Sequence, residues 1–84
     1  MSGKSVKVLL FGAAADLAGE REIEVNVGDD SSLDELWEAA IREYPRLSPM
    51  HGTLAFGING EYAERNAKVS PGDEVAFLPP VSGG

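Results

Sequence analysis

Residues 6–11 read Val6-Lys7-Val8-Leu9-Leu10-Phe11, a run of β-formers that predicts a strand. Val6, Val8 and Leu10 fall on one face, and Lys7, Leu9 and Phe11 on the other. Two apolar faces on one strand imply burial on both sides, or burial on one side and a partner on the other. Residues 12–20 are alanine-rich and predict a loop with a short helical turn. Residues 21–27 alternate, with Ile23, Val25 and Val27 inward and Glu22, Glu24 and Asn26 outward, as in a strand with one wet face. Gly28-Asp29-Asp30 closes it.

A helix follows. Ser32 and Glu35 have capping-box spacing, in which each side chain serves a free backbone donor of the other residue. Leu33, Leu36, Trp37, Ala40, Ile41 and Tyr44 repeat at i, i+3, i+4, i+7 and form one apolar stripe. Asp34 and Glu35 suit the positive end of the helix dipole, and Glu38 with Arg42 has ion-pair spacing. Pro45 stops the helix. Residues 46–52 predict a loop, and residues 53–58 a third strand with Leu54, Phe56 and Ile58 inward. Asn59-Gly60 is a hairpin turn, because both central residues of a type I′ turn need positive φ. Glu61-Tyr62-Ala63 makes a short return strand, and Pro71-Gly72-Asp73 turns the chain again. Glu74–Leu78 is the last strand, with Val75 and Phe77 on one face and Ala76 and Leu78 on the other.

One helix with a buried stripe must lie across one face of one mixed sheet. The two most apolar strands, 6–11 and 74–78, belong side by side in its middle. The expected fold is therefore α+β, a β-grasp of ubiquitin-like layout. Residues 1–5 are expected to be a disordered leader, 6–78 the domain and 79–84 an extended tail. The whole is 84 residues, enough for one small domain. Such a domain is too small to enclose a deep active site of its own, which points to a chain that works on a partner.

Net charge narrows the options. Fourteen acids against seven bases leave −7, the wrong sign for a nucleic-acid stripe or an anionic membrane surface. With no cysteine, disulfides, thiolate metal sites and thiol catalysis are excluded. No apolar run approaches the roughly 20 residues that span a bilayer, and no signal-peptide pattern follows Met1. A soluble, cytoplasmic protein is expected.

Catalytic side chains are scarce. His51 is the only histidine and has no evident orienting acid, so it reads as a surface residue. Gly3-Lys4-Ser5 resembles the end of a phosphate loop, but a strand follows where that motif requires a helix. Asp29-Asp30-Ser31-Ser32 is explained by turn and capping roles without a cation, so no metal site is assigned. Asp16, Glu20, Glu22 and Glu24 read as a solvated acidic face.

The last residues are more informative. In Pro79-Pro80-Val81-Ser82-Gly83-Gly84 two prolines cannot continue a sheet ladder and throw the chain clear of the domain. Six extended residues reach roughly 20 Å. Gly83 and Gly84 have no Cβ and fit a channel too narrow for side chains. At the tip the Gly84 α-carboxylate is ionised at neutral pH. Delivered into another protein's pocket, it is able to attack the α-phosphate of ATP. Sulfide or a thiolate then displaces AMP from the acyl-adenylate.

The stretch Gly72-Asp73-Glu74-Val75-Ala76-Phe77-Leu78-Pro79-Pro80-Val81-Ser82-Gly83-Gly84 resembles the C-terminal signature of the MoaD/ThiS sulfur carriers. Residues 6–11, the alanine-rich stretch and Leu17-Ala18-Gly19 are similar to that family's first strand and loop. Within the family the pattern looks most like the small subunit of molybdopterin synthase. The resemblance implies a cycle. An E1-like adenylating enzyme uses ATP and magnesium to activate Gly84, and a sulfur donor converts it to a thiocarboxylate. The charged carrier then docks on the large synthase subunit, in a two-plus-two assembly, and gives sulfur to cyclic pyranopterin monophosphate for molybdenum cofactor. It implies that the catalytic side chains belong to the partners and that this chain binds no cofactor.

On that reading Leu9, Phe11, Tyr62, Ala76 and Leu78 form an exposed apolar patch that meets the large subunit, with acidic charge steering the encounter. The alternative is that residues 12–20 cover this face. Two other fates share the Gly-Gly tip. One is a protein modifier of the archaeal ubiquitin-like kind, joined to lysine through Gly84. The other is a sulfur carrier for the thiamin thiazole, whose members usually lack the Pro-Pro-Val-Ser run.

Overall fold

In the inward row Ile23, Val8, Val75 and Ile58 stand opposite one another across four strands, and Leu10, Phe77, Phe56 and Ala63 form the next row. The computed structural model that shows this describes residues 4–28, 30–50 and 54–79. The chain runs β1 (Lys4–Leu10), α1 (Gly12–Ala18), β2 (Glu22–Val27), α2 (Leu33–Glu43), a 3-10 helix (Pro45–Met50), β3 (Ala55–Ile58), β4 (Glu61–Ala63) and β5 (Glu74–Leu78). The strands form one sheet in the order β2-β1-β5-β3-β4. β1 and β5 pair in parallel at its centre, and the other neighbours are antiparallel. With α2 across one face, this is the expected β-grasp.

The main helix begins where the capping box places it. The Ser32 hydroxyl accepts from the Glu35 amide at 3.3 Å, and the Ser32 amide donates to Glu35 Oε1 at 2.9 Å. The two remaining first-turn amides, Leu33 and Asp34, donate to the carbonyls of Ala67 and Arg65, each at 2.9 Å. Every early donor of the helix is thus satisfied, two of them by a segment more than thirty residues away in sequence. Leu33, Leu36, Trp37 and Ala40 are buried, while Ile41 and Tyr44 form the half-buried margin of the stripe. Trp37 meets the edge of Phe77 at 5.3 Å, and Phe77 meets Phe56 at 5.5 Å, so aromatic contacts tie the helix to β5 and β3. Glu38 and Arg42 are both exposed and do not form an ion pair with each other.

The structure departs from the sequence reading elsewhere too, and β3, expected from residue 53, begins at Ala55. Lys4 and Ser5, assigned to the leader, already pair with Val27 and Asn26, so the domain starts inside residues 1–5. Phe11 lies past the end of β1 and precedes α1 as its N-cap. Residues 12–18 form a seven-residue helix, closed by Gly19 at φ 78°, where a loop with one turn was expected. The expected loop 46–52 is largely the 3-10 helix. Leu47 and Met50 are three residues apart, which superposes them on one face at three residues per turn, and both are buried.

Candidate functional site

The face of the sheet opposite α2 carries the outward side chains of the same strands. Register places Glu22, Leu9, Ala76, Gly57 and Tyr62 in one row across all five strands. Toward the C-terminal end of β5, Leu78 pairs with Ala55, and Phe11 follows β1 alongside. Toward its start, Lys7 stands between Glu24 and Glu74. The result is an apolar strip with charged margins, where Lys7 also faces Glu22 at 4.0 Å.

The strip is concave. Leu9, Phe11, Gly57, Tyr62, Ala76 and Leu78, with Gly60, Glu61 and Glu74, line a depression of about 320 Å³. Its floor is low because Gly57 has no side chain and Ala76 has only a methyl. A Cβ on Gly57 would stand 3.8 Å from both Ala76 Cβ and Leu78 Cδ1, and 3.3 Å from the Glu61 carbonyl oxygen. Its walls are Phe11 and Tyr62, which are 46% and 84% exposed, the only large apolar side chains so open among the described residues. Helix α1 buries Ala14 in the same core as α2 and leaves Phe11 exposed, so it does not cover the strip.

All of Leu9, Phe11, Tyr62, Ala76 and Leu78 therefore border one depression. Sequence reasoning missed Gly57, Gly60, Glu61 and Glu74. For Gly57 a signal existed: a glycine inside an apolar strand marks a site where something approaches the backbone closely. The lining offers carboxylates at the rim and one phenol, a set suited to contact rather than to nucleophilic or acid–base chemistry.

β5 leads directly from this floor into the tail. Pro79 is half-buried, and its Cγ would lie 3.2 Å from a Cβ placed on Gly12, so the exit abuts the start of α1. Pro80, Val81, Ser82, Gly83 and Gly84 lie outside the described residues, as do Asp29 and His51. Ser31 donates to the Gly28 carbonyl at 3.0 Å and Ser32 caps α2, so both have structural roles. Asp16, Glu20, Glu22 and Glu24 are exposed, with Glu24 accepting from Ser5 Oγ at 3.1 Å. Among the described residues no helix is long and apolar enough to cross a membrane.

Comparison with known proteins agrees with this layout. The ThiS family model matches residues 8–84. The molybdopterin synthase sulfur carrier subunit of Chlamydomonas reinhardtii is 36% identical over 81 residues, covering 94% of this chain and 98% of that protein. The crystal structure of SAMP1, a small archaeal modifier protein from Haloferax volcanii, superposes with a TM-score of 0.86 at 31% identity, over 95% of this chain and 99% of that one. A chain in the complex of subunits 1 and 2 of the molybdopterin-converting factor from Helicobacter pylori superposes with a TM-score of 0.68 at 28% identity, over 95% and 99%. With a family match that runs from within β1 to the last residue of the sequence, this chain is a member of the ThiS family.

Proposed function

We propose that this chain is the sulfur-carrier subunit of a molybdopterin synthase. One observation carries the reading: β5 supplies both the floor of the exposed apolar depression and the strand end from which the tail departs. A partner seated on Leu9, Phe11, Tyr62, Ala76 and Leu78 holds the domain by the strand that leads into residues 79–84. A docked domain and an inserted tail are then one rigid presentation, which lowers the ordering cost of delivering the terminus.

The chemistry takes place on Gly84. A carboxylate oxygen attacks the α-phosphorus of ATP on an E1-like adenylyltransferase, and pyrophosphate leaves with magnesium. Sulfide delivered by a sulfur donor displaces AMP and leaves a thiocarboxylate. On the large synthase subunit that sulfur passes to cyclic pyranopterin monophosphate. The carboxylates at the rim of the depression, Glu61 and Glu74, favour a basic surround on that subunit. The deciding experiment is reconstitution with a large subunit and the pterin precursor. Molybdopterin should form from the thiocarboxylate form and not from the carboxylate form. Equal yields from both would overturn the proposal.

The likeness to SAMP1 supports a second reading, conjugation to lysine through Gly84. Intact mass separates the two: exchange of one oxygen for sulfur adds about 16 Da, whereas a modifier accumulates in conjugates of higher mass.

A further inference from the structure

Strand β4 is held to the sheet by little. It is a three-residue edge strand that pairs only with β3, and Glu61 and Tyr62 on it are exposed. A hairpin this short is marginal without help from outside itself. Yet Tyr62 forms one wall of the depression, so something else must fix where the hairpin stands.

The exit of β4 is tied to α2 by Arg65, whose guanidinium donates to Asp34 Oδ1 at 3.1 Å; at the turn end the fixing groups are Asn59 and Asp73. Asn59, at φ 53°, is the first residue of the β3–β4 turn, and its amide donates to the Glu74 carbonyl at 2.8 Å. Its side chain then does two things. Oδ1 accepts from the Glu74 amide at 3.0 Å, and Nδ2 donates to Asp73 Oδ1 at 3.1 Å. The amide orientation is unambiguous, because one partner is only a donor and the other only an acceptor. Asp73 is anchored in turn: its other oxygen accepts from the Ser70 amide at 2.8 Å, and its own amide donates to the Ser70 carbonyl at 3.0 Å. The clasp therefore extends the β3–β5 ladder by one residue and ties the hairpin turn to the turn that launches β5. It lies at the end of the depression bordered by Gly60 and Glu74.

We infer that Asn59 and Asp73 are positioning residues for the concave face. They clamp the Tyr62 hairpin to β5 and so set the width of the depression that a partner must match. The consequence for docking rests on the function proposed above; the clamping does not.

Two variants and a repair test this. Asn59→Gly keeps the backbone bond and tolerates positive φ, but removes the side chain. Asn59→Asp keeps an acceptor for Glu74 but sets a second carboxylate against Asp73. Adding Asp73→Asn to the latter restores one donor and one acceptor with the polarity reversed. In the isolated chain, both single variants should speed hydrogen exchange at amides 56–63 by about tenfold, and leave the β1–β2 amides unchanged. The double variant should restore protection. Unchanged exchange, or equal acceleration in both ladders, would overturn the clamping role. With a large synthase subunit, Asn59→Asp should weaken binding about tenfold and the double variant should recover it. Equal affinity of wild type and variants would overturn the docking consequence. Failure of the wild type to bind, with the exchange result as expected, would overturn the docking consequence and the docking reading of the face, and leave the clasp standing.

Discussion

Gly57 and Ala76 are register partners on β3 and β5, and a Cβ added to Gly57 would sit 3.8 Å from the Ala76 methyl. The depression on the outer face exists because neither residue has more than one side-chain carbon there. Gly57 does not need positive φ, and the tightest contact of an added Cβ, 3.3 Å to the Glu61 carbonyl oxygen, asks the edge hairpin to shift by only a few tenths of an ångström. Gly57→Leu should fill the floor and weaken binding to a large synthase subunit by at least about tenfold, the scale of a lost interface centre. The domain should still fold, since the new side chain points away from the core. Titration calorimetry together with far-UV circular dichroism checks both parts.

Phe11 is 46% exposed and lies past the last residue of β1, outside the ladder. Phe11→Asp should therefore cost little stability, within about 0.5 kcal/mol as for ordinary surface changes. It should nevertheless break the complex with the large subunit, because a charge would enter an apolar contact next to the acidic rim. Size-exclusion chromatography of the mixture, with urea unfolding of the variant alone, separates the two effects. A normal complex would count against this face as the docking surface.

The parts of the fold legible in sequence are those set by local chemistry. Ser32 and Glu35 announced the helix start, and Asn59-Gly60 the hairpin, because capping and positive φ need only the residues themselves. The 3-10 helix was not legible. Leu47 and Met50 gain a shared buried face only once the core beneath them exists, and no period-3.6 stripe marks them. The same holds for Val69, which is 2% exposed in a stretch of polar neighbours. Its segment is placed by backbone bonds from Leu33, Asp34 and Val69 itself, which side-chain patterning does not reveal. The outer patch was legible from the two-faced strands, but its concavity required the register that sets Gly57 beside Ala76.

Removing the cap should have a measurable, modest effect. In Ser32→Ala the Glu35 amide loses its acceptor, but the Leu33 and Asp34 amides keep theirs. A loss of about 1 kcal/mol is expected. For a domain of this size that lowers Tm by about 4–8 °C, readable by differential scanning calorimetry.

Trp37 is the larger test of the core. It is fully buried against Phe77 and Phe56 and joins the helix to β5. Trp37→Ala should cost about 3–5 kcal/mol, a large share of the stability of a small domain. Urea unfolding followed by circular dichroism should show either a midpoint displaced far toward water or no folded baseline. A midpoint near that of the wild type would mean that the aromatic contacts do not hold α2 in place.

The tail and the domain should be separable. The sheet ladder ends with Leu78, whose partner is Ala55, and Val75 and Phe77 complete the contribution of β5 to the core. Deleting Gly83-Gly84 should therefore leave the thermal midpoint unchanged, and the variant should still bind the large subunit through Phe11, Tyr62 and Leu78. It should, however, accept no sulfur. Val81-Ser82 would then offer a side chain where the activating enzyme needs none, and the carboxylate would fall about 7 Å short, two residues at extended spacing. Mass spectrometry after incubation with an activating enzyme, ATP, magnesium and sulfide should show the sulfur-for-oxygen gain in the full chain only. Thiocarboxylate on the shortened chain would mean that the last two glycines are not what the activating enzyme reads, and the chemistry assigned to Gly84 would have to be given up.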